Sequence, residues 1–266
     1  MVKLALVICV LLSICITEAY SAADPLPAFN VNIYNTSVSG LSSGGYFAVQ
    51  MHVAFSSIMV GAGIFAGGPY NCAEGNLNLA LGACMKGNPN VNTAISTTNS
   101  RYTSGAIDNP ANLQNQKVYL YSGTKDTTVY PSVMKALDSY YGNYVTASNI
   151  LFEDTIVSAH TQPTTDQSTN ACTVSSSPYI SYCNYDGAGV ALSHIYGNLN
   201  PRNDGTLSGQ LLQFDQTEFL PNPTSQSIAT TGYVYVPASC AQNATCVVGF
   251  YSIFTFNFSS IFINYF

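Results

Sequence analysis

The 266-residue sequence is long enough for one α/β domain with a substantial core, and 47% of its residues are hydrophobic, a composition typical of globular proteins rather than disordered ones. Only 8% of the residues are charged, and thirteen acidic against seven basic residues give a net charge of −6. Because nucleic-acid binding requires a cationic surface that neutralises phosphates, this charge balance argues against a nucleic-acid partner.

The first 23 residues have the pattern of a signal peptide. Lys3 supplies a positive charge, a mostly apolar run covers residues 4–16, and small residues follow at Ser21, Ala22 and Ala23. This run is shorter than the ~20 apolar residues that a membrane-spanning helix requires, so we favour a cleaved leader over a membrane anchor. We therefore expect a secreted, extracellular protein without stable membrane insertion after cleavage.

Strands and helices alternate along the chain that follows, with no internal repeat and no linker. The predicted strands cover residues 31–39, 58–66, 117–121 and 150–157, and the predicted helices cover residues 46–55, 131–141 and 188–196. Strands separated by helices favour an α/β fold, with a mostly parallel sheet and helices on both of its faces.

The cysteine pattern indicates disulfide bonds. The chain has eight cysteines, of which Cys9 and Cys15 lie in the predicted leader, and an even number in an exported protein favours disulfides. The predicted local pairs are Cys72–Cys84, Cys172–Cys183 and Cys240–Cys246, although the sequence alone permits other pairings. No Cys-x-x-Cys motif and no histidine at ligand spacing is present, so we expect no metal site. Candidate glycan acceptors in Asn-x-Ser/Thr sequons are Asn35, Asn243 and Asn257.

The segment from Gly40 to Gly44 has the G-x-S-x-G pattern of a nucleophile elbow between a predicted strand and a predicted helix. In such a turn the flanking glycines relieve backbone crowding, and the serine hydroxyl is raised above the sheet. The backbone N–H of Ser43 would then face the reacting oxygen as the first oxyanion donor, where the start of the helix also favours negative charge. Ser42 is therefore the candidate nucleophile, and the alternative is a chance match in a chain with 20 glycines.

A serine nucleophile requires a base, and only three histidines are available. His52 lies in the helix after Ser42, roughly 15 Å along the helix axis from the turn, and His194 lies inside another helix, so both fit packed or helix-surface residues. His160 follows a predicted strand directly, where such folds place catalytic groups. His160 is therefore the candidate base.

Asp126 is the candidate third member of the triad. It follows the strand over residues 117–121 and precedes a helix, although a role in capping a turn would also explain it. Three other aspartates are explained by their local positions: Asp108 by capping, Asp138 by a predicted helix and Asp154 by a predicted strand. In a triad, Asp126 would hold the imidazole of His160 in the required tautomer and stabilise its protonated form.

Several stretches of the sequence resemble one family. These are residues 38–46 (with GLSSGGY), 61–70 (with AGGPY), 122–123 with 126–129 (SG and DTTV), 159–161 (AHT), 177–181, 183–189 (CNYDGAG) and 231–237. On these residues the chain resembles the secreted poly(3-hydroxybutyrate) depolymerases that have a single, circularly permuted α/β-hydrolase domain. The resemblance covers roughly residues 25–246 and implies the catalytic triad Ser42, Asp126 and His160. It also implies that strands usually preceding the nucleophile come after His160, beginning near residues 232–237.

The resemblance ends after Cys246. The family continues into a strand, a His-Gly-Cys turn that supplies the second oxyanion N–H, and a loop that carries a Trp beside the substrate, whereas this sequence continues as an apolar stretch and contains no Trp. We therefore expect an incomplete, C-terminally truncated hydrolase domain over residues 24–248 and an aberrant apolar tail over residues 249–266. The second oxyanion donor would then be missing, at a cost of roughly 3–4 kcal/mol in transition-state stabilisation.

The resemblance implies hydrolysis of ester bonds in poly(3-hydroxybutyrate)-type polyesters or their oligomers, through an acyl-enzyme and without any cofactor. We expect the protein to be a monomer. One alternative is a carboxylesterase that acts on soluble short-chain acyl esters. The altered C-terminus suggests a second alternative, a secreted binding protein with impaired catalysis.

Overall fold

The computed structural model describes residues 23–253, except residues 198, 201, 204 and 227. Residues 1–22 of the predicted signal peptide lie outside the described part of the chain. The same applies to residues 254–266 of the predicted tail, which include the sequon at Asn257.

Ten strands and seven α-helices, with short 3₁₀ turns, make up the described chain. The strands are β1 (Thr36–Leu41), β2 (Met59–Phe65), β3 (Lys117–Tyr121), β4 (Ile150–Glu153), β5 (Gln162–Thr164), β6 (Asn170–Ala171), β7 (Ile180–Tyr182), β8 (Gln210–Asp215), β9 (Thr231–Val236) and β10 (Gly249–Ile253). The helices are α1 (Ser43–Ala54), α2 (Leu77–Leu81), α3 (Ala83–Lys86), α4 (Val91–Thr103), α5 (Pro131–Tyr141), α6 (Gly187–Tyr196) and α7 (Ala238–Ala241). The 3₁₀ turns are Ile33–Asn35, Pro110–Asn115, Ala147–Asn149, Gln216–Glu218 and Pro223–Gln226.

A five-stranded sheet in the order β10-β1-β2-β3-β4 forms the centre of the fold, and every pair in it is parallel. Leu41, Phe65 and Tyr121 lie opposite one another at the carboxyl ends of β1, β2 and β3. Because neighbouring strands are about 4.8 Å apart, chain segments that leave β1 and β3 at this edge start within about 10 Å of each other.

Helices cover both faces of this sheet, which confirms the predicted α/β architecture with a mostly parallel sheet. On one face, Ile64 and Leu120 belong to the larger core, together with Met134 and Leu137 of α5 and buried residues of α1 and α4. On the other face, Ala191 of α6 packs in a second core cluster with the aromatic residues of β2 and β3. The sheet is thus held between two packed layers.

Strand β10 corrects the predicted domain boundary. Residues 249–253 were assigned to a tail outside the domain, but they form a strand that pairs in parallel with β1, with Phe250 opposite Val38 and Tyr251 opposite Ser39. The Ser39 hydroxyl also donates to the Phe250 carbonyl at 3.2 Å across 211 positions of sequence. A short apolar run is a suitable parallel strand once a strand edge is beside it, and that proximity is a tertiary property.

The segment near residues 232–237, where the transposed strands were expected to begin, forms β9. Within the described residues β9 pairs only with β8, as an antiparallel two-stranded sheet, and β10 is the strand that joins the central sheet. A third small sheet has the order β5-β7-β6 and follows the loop that carries His160.

The three predicted disulfides are confirmed, because Cys72–Cys84, Cys172–Cys183 and Cys240–Cys246 are bonded. Asn35 and Asn243 are exposed, as glycan acceptors must be, and their glycosylation stays a prediction. None of the helices over the described residues combines the length and the apolar character needed to cross a bilayer.

Candidate active site

The backbone of Ser42 has the strained conformation expected of a nucleophile elbow. This residue lies between β1 and α1 with φ 59° and ψ −124°, a combination that residues other than glycine rarely adopt. Its N–H donates to the Phe65 carbonyl at 2.9 Å, and its own carbonyl accepts from the Tyr46 N–H at 2.9 Å. The end of β2 and the first turn of α1 therefore hold the strained conformation in place.

Gly40 has no room for a side chain. A Cβ atom there would lie 2.4 Å from the carbonyl carbon and oxygen of Gly44 and 2.6 Å from the carbonyl oxygen of Ser252. The turn thus folds back so closely that Gly40 contacts Gly44 directly, which is the crowding that the G-x-S-x-G pattern relieves.

Helix α1 begins at Ser43, so the Ser43 N–H is one of the first-turn donors that have no acceptor within the helix. The Ser42 side chain makes no capping hydrogen bond to this helix. Ser42 is partly buried and Ser43 is exposed. The hydroxyl and the neighbouring N–H are therefore available to a group that approaches the helix start.

Asp126 uses its two carboxylate oxygens for two different purposes. Oδ1 accepts from the backbone N–H groups of Thr128 and Val129, at 2.8 and 2.9 Å. Oδ2 lies 2.7 Å from Nδ1 of His160. The capping role considered from the sequence and the contact expected of a triad aspartate are thus present together.

The Asp126–His160 pair is shielded from water, since the two residues are only 4% and 5% exposed. The edge of the Tyr179 ring approaches the imidazole, with ring centroids 6.5 Å apart. Because Nδ1 faces the carboxylate, Nε2 is the imidazole atom that can accept a proton from a hydroxyl.

The loops that carry Asp126 and His160 run side by side. Thr124 N–H donates to the Ile156 carbonyl at 2.9 Å, and Lys125 N–H donates to the Ser158 carbonyl at 3.0 Å. The Ala159 N–H donates to the carbonyl of Cys172, a disulfide-bonded residue, at 2.9 Å. Backbone hydrogen bonds thus fix the segment before His160 against the segment before Asp126.

The packing of Tyr46 connects the Ser42 turn with the Asp126–His160 pair. In the part of the chain that the structure describes, no hydrogen bond joins Ser42 to His160. Tyr46, one turn after Ser42, packs in the same apolar cluster as Val129, which follows Asp126. Burial raises the pKa of Tyr46, and the nearby charge of Asp126 raises it further. The elbow and the Asp126–His160 pair therefore line the same edge of the sheet.

The other two histidines have structural partners, as predicted. His52 is fully buried between Tyr141 and Gln116, and Nε2 of His194 lies 2.8 Å from the Asn149 carbonyl oxygen. Among the residues described, no group of three His, Cys, Asp or Glu side chains could hold a metal ion.

The structure also shows the positions of Asp108, Asp138 and Asp154. Asp138 lies in α5, as predicted, and Asp108 accepts from the Ser57 N–H at 2.9 Å. Asp154 was assigned to a strand, but β4 ends at Glu153, so Asp154 lies just beyond it.

Gly123, Tyr121 and Ser158 lie at the loops of the site, although the sequence predicts no role for them. A Cβ atom on Gly123 would lie 2.2 Å from Oγ of Ser158 and 2.4 Å from its carbonyl oxygen. The Tyr121 hydroxyl lies 2.7 Å from that same Oγ. The only signal in the sequence was the Ser-Gly pair directly after the strand over residues 117–121, which predicts the end of a strand but not what approaches it.

The second oxyanion donor, predicted to be missing, would follow the strand beside β1. That strand is β10, which ends at Ile253, the last described residue. This prediction therefore falls on residues outside the described part.

No family model matches the sequence. Two curated proteins are similar to it over most of its length. A Delftia acidovorans protein named poly(3-hydroxybutyrate) depolymerase is 46% identical over 238 residues, which are 88% of this chain and 47% of that protein. A Talaromyces funiculosus protein named polyhydroxybutyrate depolymerase is 48% identical over 231 residues, which are 85% of this chain and 66% of that protein.

Two solved structures are similar to this chain in fold. A crystal structure of the PHB depolymerase from Penicillium funiculosum matches with a TM-score of 0.78 and 46% identity, over 86% of this chain and 72% of that chain. A PHB depolymerase with a serine-to-alanine substitution, in complex with an R3HB trimer, matches with a TM-score of 0.77 and 45% identity, at the same coverage. The chain thus spans about half and about two thirds of the lengths of the two curated relatives.

Proposed function

Since the chain belongs to the poly(3-hydroxybutyrate) depolymerase family, we propose that it hydrolyses ester bonds through a triad of Ser42, His160 and Asp126. The observation that carries this proposal is the buried 2.7 Å contact between Asp126 and Nδ1 of His160, at the sheet edge where the strained Ser42 turn also lies. A packed core histidine does not need a buried carboxylate beside it, whereas a catalytic base does.

In the proposed reaction, His160 Nε2 takes the proton of the Ser42 hydroxyl as the oxygen attacks the ester carbonyl. The Ser43 N–H and the start of α1 stabilise the oxyanion. The protonated His160, held by Asp126, gives its proton to the leaving alcohol, and an acyl-enzyme remains. Water, activated by His160, then releases the acid and restores Ser42.

We propose a hydroxyalkanoate polyester, or its short oligomers, as the substrate. This choice is supported by the names of the two curated relatives and by the R3HB trimer in complex with the related structure. The same relationship and the three disulfides support an extracellular site of action, for which the sequence predicts a signal peptide.

A fluorophosphonate probe tests the nucleophile. We expect the probe to attach to Ser42 in the folded protein and labelling to disappear in Ser42→Ala, because only an activated serine reacts with it. Ser43→Ala is the matched control, since it removes the neighbouring hydroxyl but keeps the backbone N–H. Labelling that persists in Ser42→Ala, or a folded protein that is not labelled, contradicts the proposed hydrolase.

A pair of substrates tests the proposed ester class. The protein should clear a poly(3-hydroxybutyrate) film and release 3-hydroxybutyrate units from short oligomers. Hydrolysis of p-nitrophenyl butyrate without release from either hydroxybutyrate substrate would instead identify a soluble-ester carboxylesterase. Film binding without hydrolysis of any ester would identify the binding protein.

A further inference from the structure

A hydrogen bond between two buried hydroxyl groups links the end of β3 to the loop that carries His160. The Tyr121 hydroxyl lies 2.7 Å from Oγ of Ser158, and the two residues are 1% and 0% exposed. Tyr121 is the last residue of β3, whose following loop carries Asp126, and Ser158 precedes His160 by two positions. One side-chain hydrogen bond therefore links the end of the strand that leads to the acid with the loop that carries the base.

Tyr121 provides a fixed point for this link. Its ring packs against Phe65, with centroids 5.7 Å apart, and is stacked on Tyr185 at 6.2 Å. Burial raises the pKa of Tyr121 to about 12, so the phenol keeps its proton at neutral pH. The Tyr185 hydroxyl is itself 3.1 Å from that of Tyr119, which limits movement of the stacked ring.

Ser158 is restrained on three sides. Its carbonyl accepts from Lys125 N–H, the residue before Asp126, and its N–H donates to the Ile156 carbonyl. Gly123 packs beside Ser158, since a Cβ atom at that position would lie 2.2 Å from Oγ. The hydrogen bond with the Tyr121 hydroxyl also restrains the Ser158 side chain.

We propose that Tyr121 and Ser158 are positioning residues, which act through His160 and set the distance between its imidazole and Asp126. This proposal rests on the proposed triad. The alternative is that each hydroxyl only satisfies the hydrogen-bonding capacity of the other in the core, as buried polar groups generally must. A purely structural pair would affect stability, whereas a positioning pair also affects the geometry of the base.

The chain offers a matched control for this distinction. Thr98 and Tyr140 form another buried hydroxyl pair at 2.7 Å, in the core on the opposite face of the sheet. Tyr140→Phe removes the same kind of hydrogen bond as Tyr121→Phe, with the same loss of one oxygen. Any difference between the two variants therefore results from the location of the lost hydrogen bond and not from the kind of group that was removed.

Steady-state kinetics on a soluble hydroxybutyrate oligomer form the first test. We expect Tyr121→Phe and Ser158→Ala each to lower kcat roughly tenfold to a hundredfold with little change in KM, since a small misplacement of a catalytic group has effects of this size. The double variant should be no slower than the slower single variant, because both changes break one contact. Tyr140→Phe should keep the kcat of the unmodified protein.

NMR provides a second test that does not depend on turnover. The proton shared between His160 Nδ1 and Asp126 gives a far-downfield resonance, which should broaden or shift in Tyr121→Phe and Ser158→Ala but not in Tyr140→Phe. The proposal is overturned if that resonance and kcat are unchanged while both tyrosine variants lose similar thermal stability. If Tyr121→Phe does not fold, the test rests on Ser158→Ala alone. If the unmodified protein lacks esterase activity, the proposal is still tested by the resonance.

Discussion

At the scale of single residues, the site depends on two groups in unusual surroundings. Ser42 holds a positive φ that costs of order 1–3 kcal/mol and persists only because β1, β2 and α1 fix its neighbours. Asp126 places a carboxylate in a nearly dry site, where each of its oxygens finds N–H donors. The backbone donors fix the carboxylate before any substrate arrives, so its orientation toward His160 does not depend on binding.

Asp126→Asn separates the charge of this residue from its capping role. The amide oxygen can still accept from Thr128 and Val129, so we expect the free energy of unfolding to stay close to that of the unmodified protein. The amide nitrogen would favour the wrong tautomer of His160, so kcat should fall by roughly 10⁴-fold, the size of this effect in serine proteases. Ester hydrolysis and thermal unfolding, measured on the same preparation, check both statements.

Asp138→Asn serves as the control, since Asp138 lies in α5 and no hydrogen bond or ion pair among the described residues joins its side chain to the candidate triad. A loss of less than tenfold in Asp126→Asn would mean that Asp126 does not orient the base.

At the scale of elements, the site is formed where two loops leave adjacent parallel strands. The loop after β3 donates two backbone hydrogen bonds to the loop after β4, and Gly123 allows the second loop to lie directly on the first. Because β3 and β4 are neighbours in register, with Tyr121 opposite Glu153, both loops begin at the same height above the sheet. The strand order thus brings Asp126 and His160 close together, and Gly123 determines how closely their two loops approach each other.

Gly123→Ala tests the contact between the loops. A Cβ atom would approach both Oγ and the carbonyl oxygen of Ser158 to less than 2.5 Å, so the loops must separate. We expect a loss of about 1–3 kcal/mol in the free energy of unfolding, as for other overpacked sites, together with slower fluorophosphonate labelling. Urea denaturation and the labelling rate of Ser42 measure the two effects.

Gly142→Ala is the matched control for that variant. A Cβ atom there has its nearest contact at 3.4 Å, and the residue already has a right-handed helical backbone, with φ −59°. This variant should unfold and react like the unmodified protein. Equal behaviour of the two alanine variants would show that the loops tolerate separation.

At the scale of the whole molecule, one buried histidine makes stability depend on pH. Burial lowers the pKa of His52 from 6.5 to about 4, while the hydrogen bond to Gln116 opposes this shift only partly. The imidazole joins α1 to α5 through the Tyr141 hydroxyl, at 2.9 Å, and to Gln116, at 2.7 Å. The folded state therefore favours the neutral form of this side chain.

The direction of the pH effect follows from the two pKa values. The unfolded chain binds a proton at His52 as the pH falls through about 6.5, whereas the folded chain does so only near 4. The stabilisation is therefore complete above about pH 6.5 and is lost between about 6.5 and 4. We expect His52 to account for about 2 kcal/mol of lost stability between pH 7 and pH 5.

His52→Gln removes this titration and keeps one donor and one acceptor for Gln116 and Tyr141. Urea denaturation at pH 7 and pH 5 should show a smaller loss of stability in this variant than in the unmodified protein, by about 2 kcal/mol. His194→Gln is the control, because His194 is only partly buried. An equal pH dependence in His52→Gln and the unmodified protein would contradict the assignment.

Elements with strong local patterns were predicted closely. The strand over residues 117–121 and the helix over residues 131–141 have the predicted bounds, because an apolar run and a proline in the first helical turn act within a few residues. Helix α4 was not predicted. Its sequence is rich in Thr, Ser and Asn, which are weak helix formers, and it is stabilised by the Asn90 cap and the burial of Ala94 and Thr98.

The sequence by itself determined the G-x-S-x-G turn at Ser42, and it favoured the three short disulfide loops without excluding other pairings, because these features depend on residues close together in the chain. It also restricted the candidate base to three histidines, among which the position after a predicted strand and the family resemblance favoured His160. Tertiary structure alone decided that β10 joins β1 and that Tyr121 reaches Ser158. Such contacts form when packing of the sheet and its helices brings distant segments together, and no local propensity encodes that proximity.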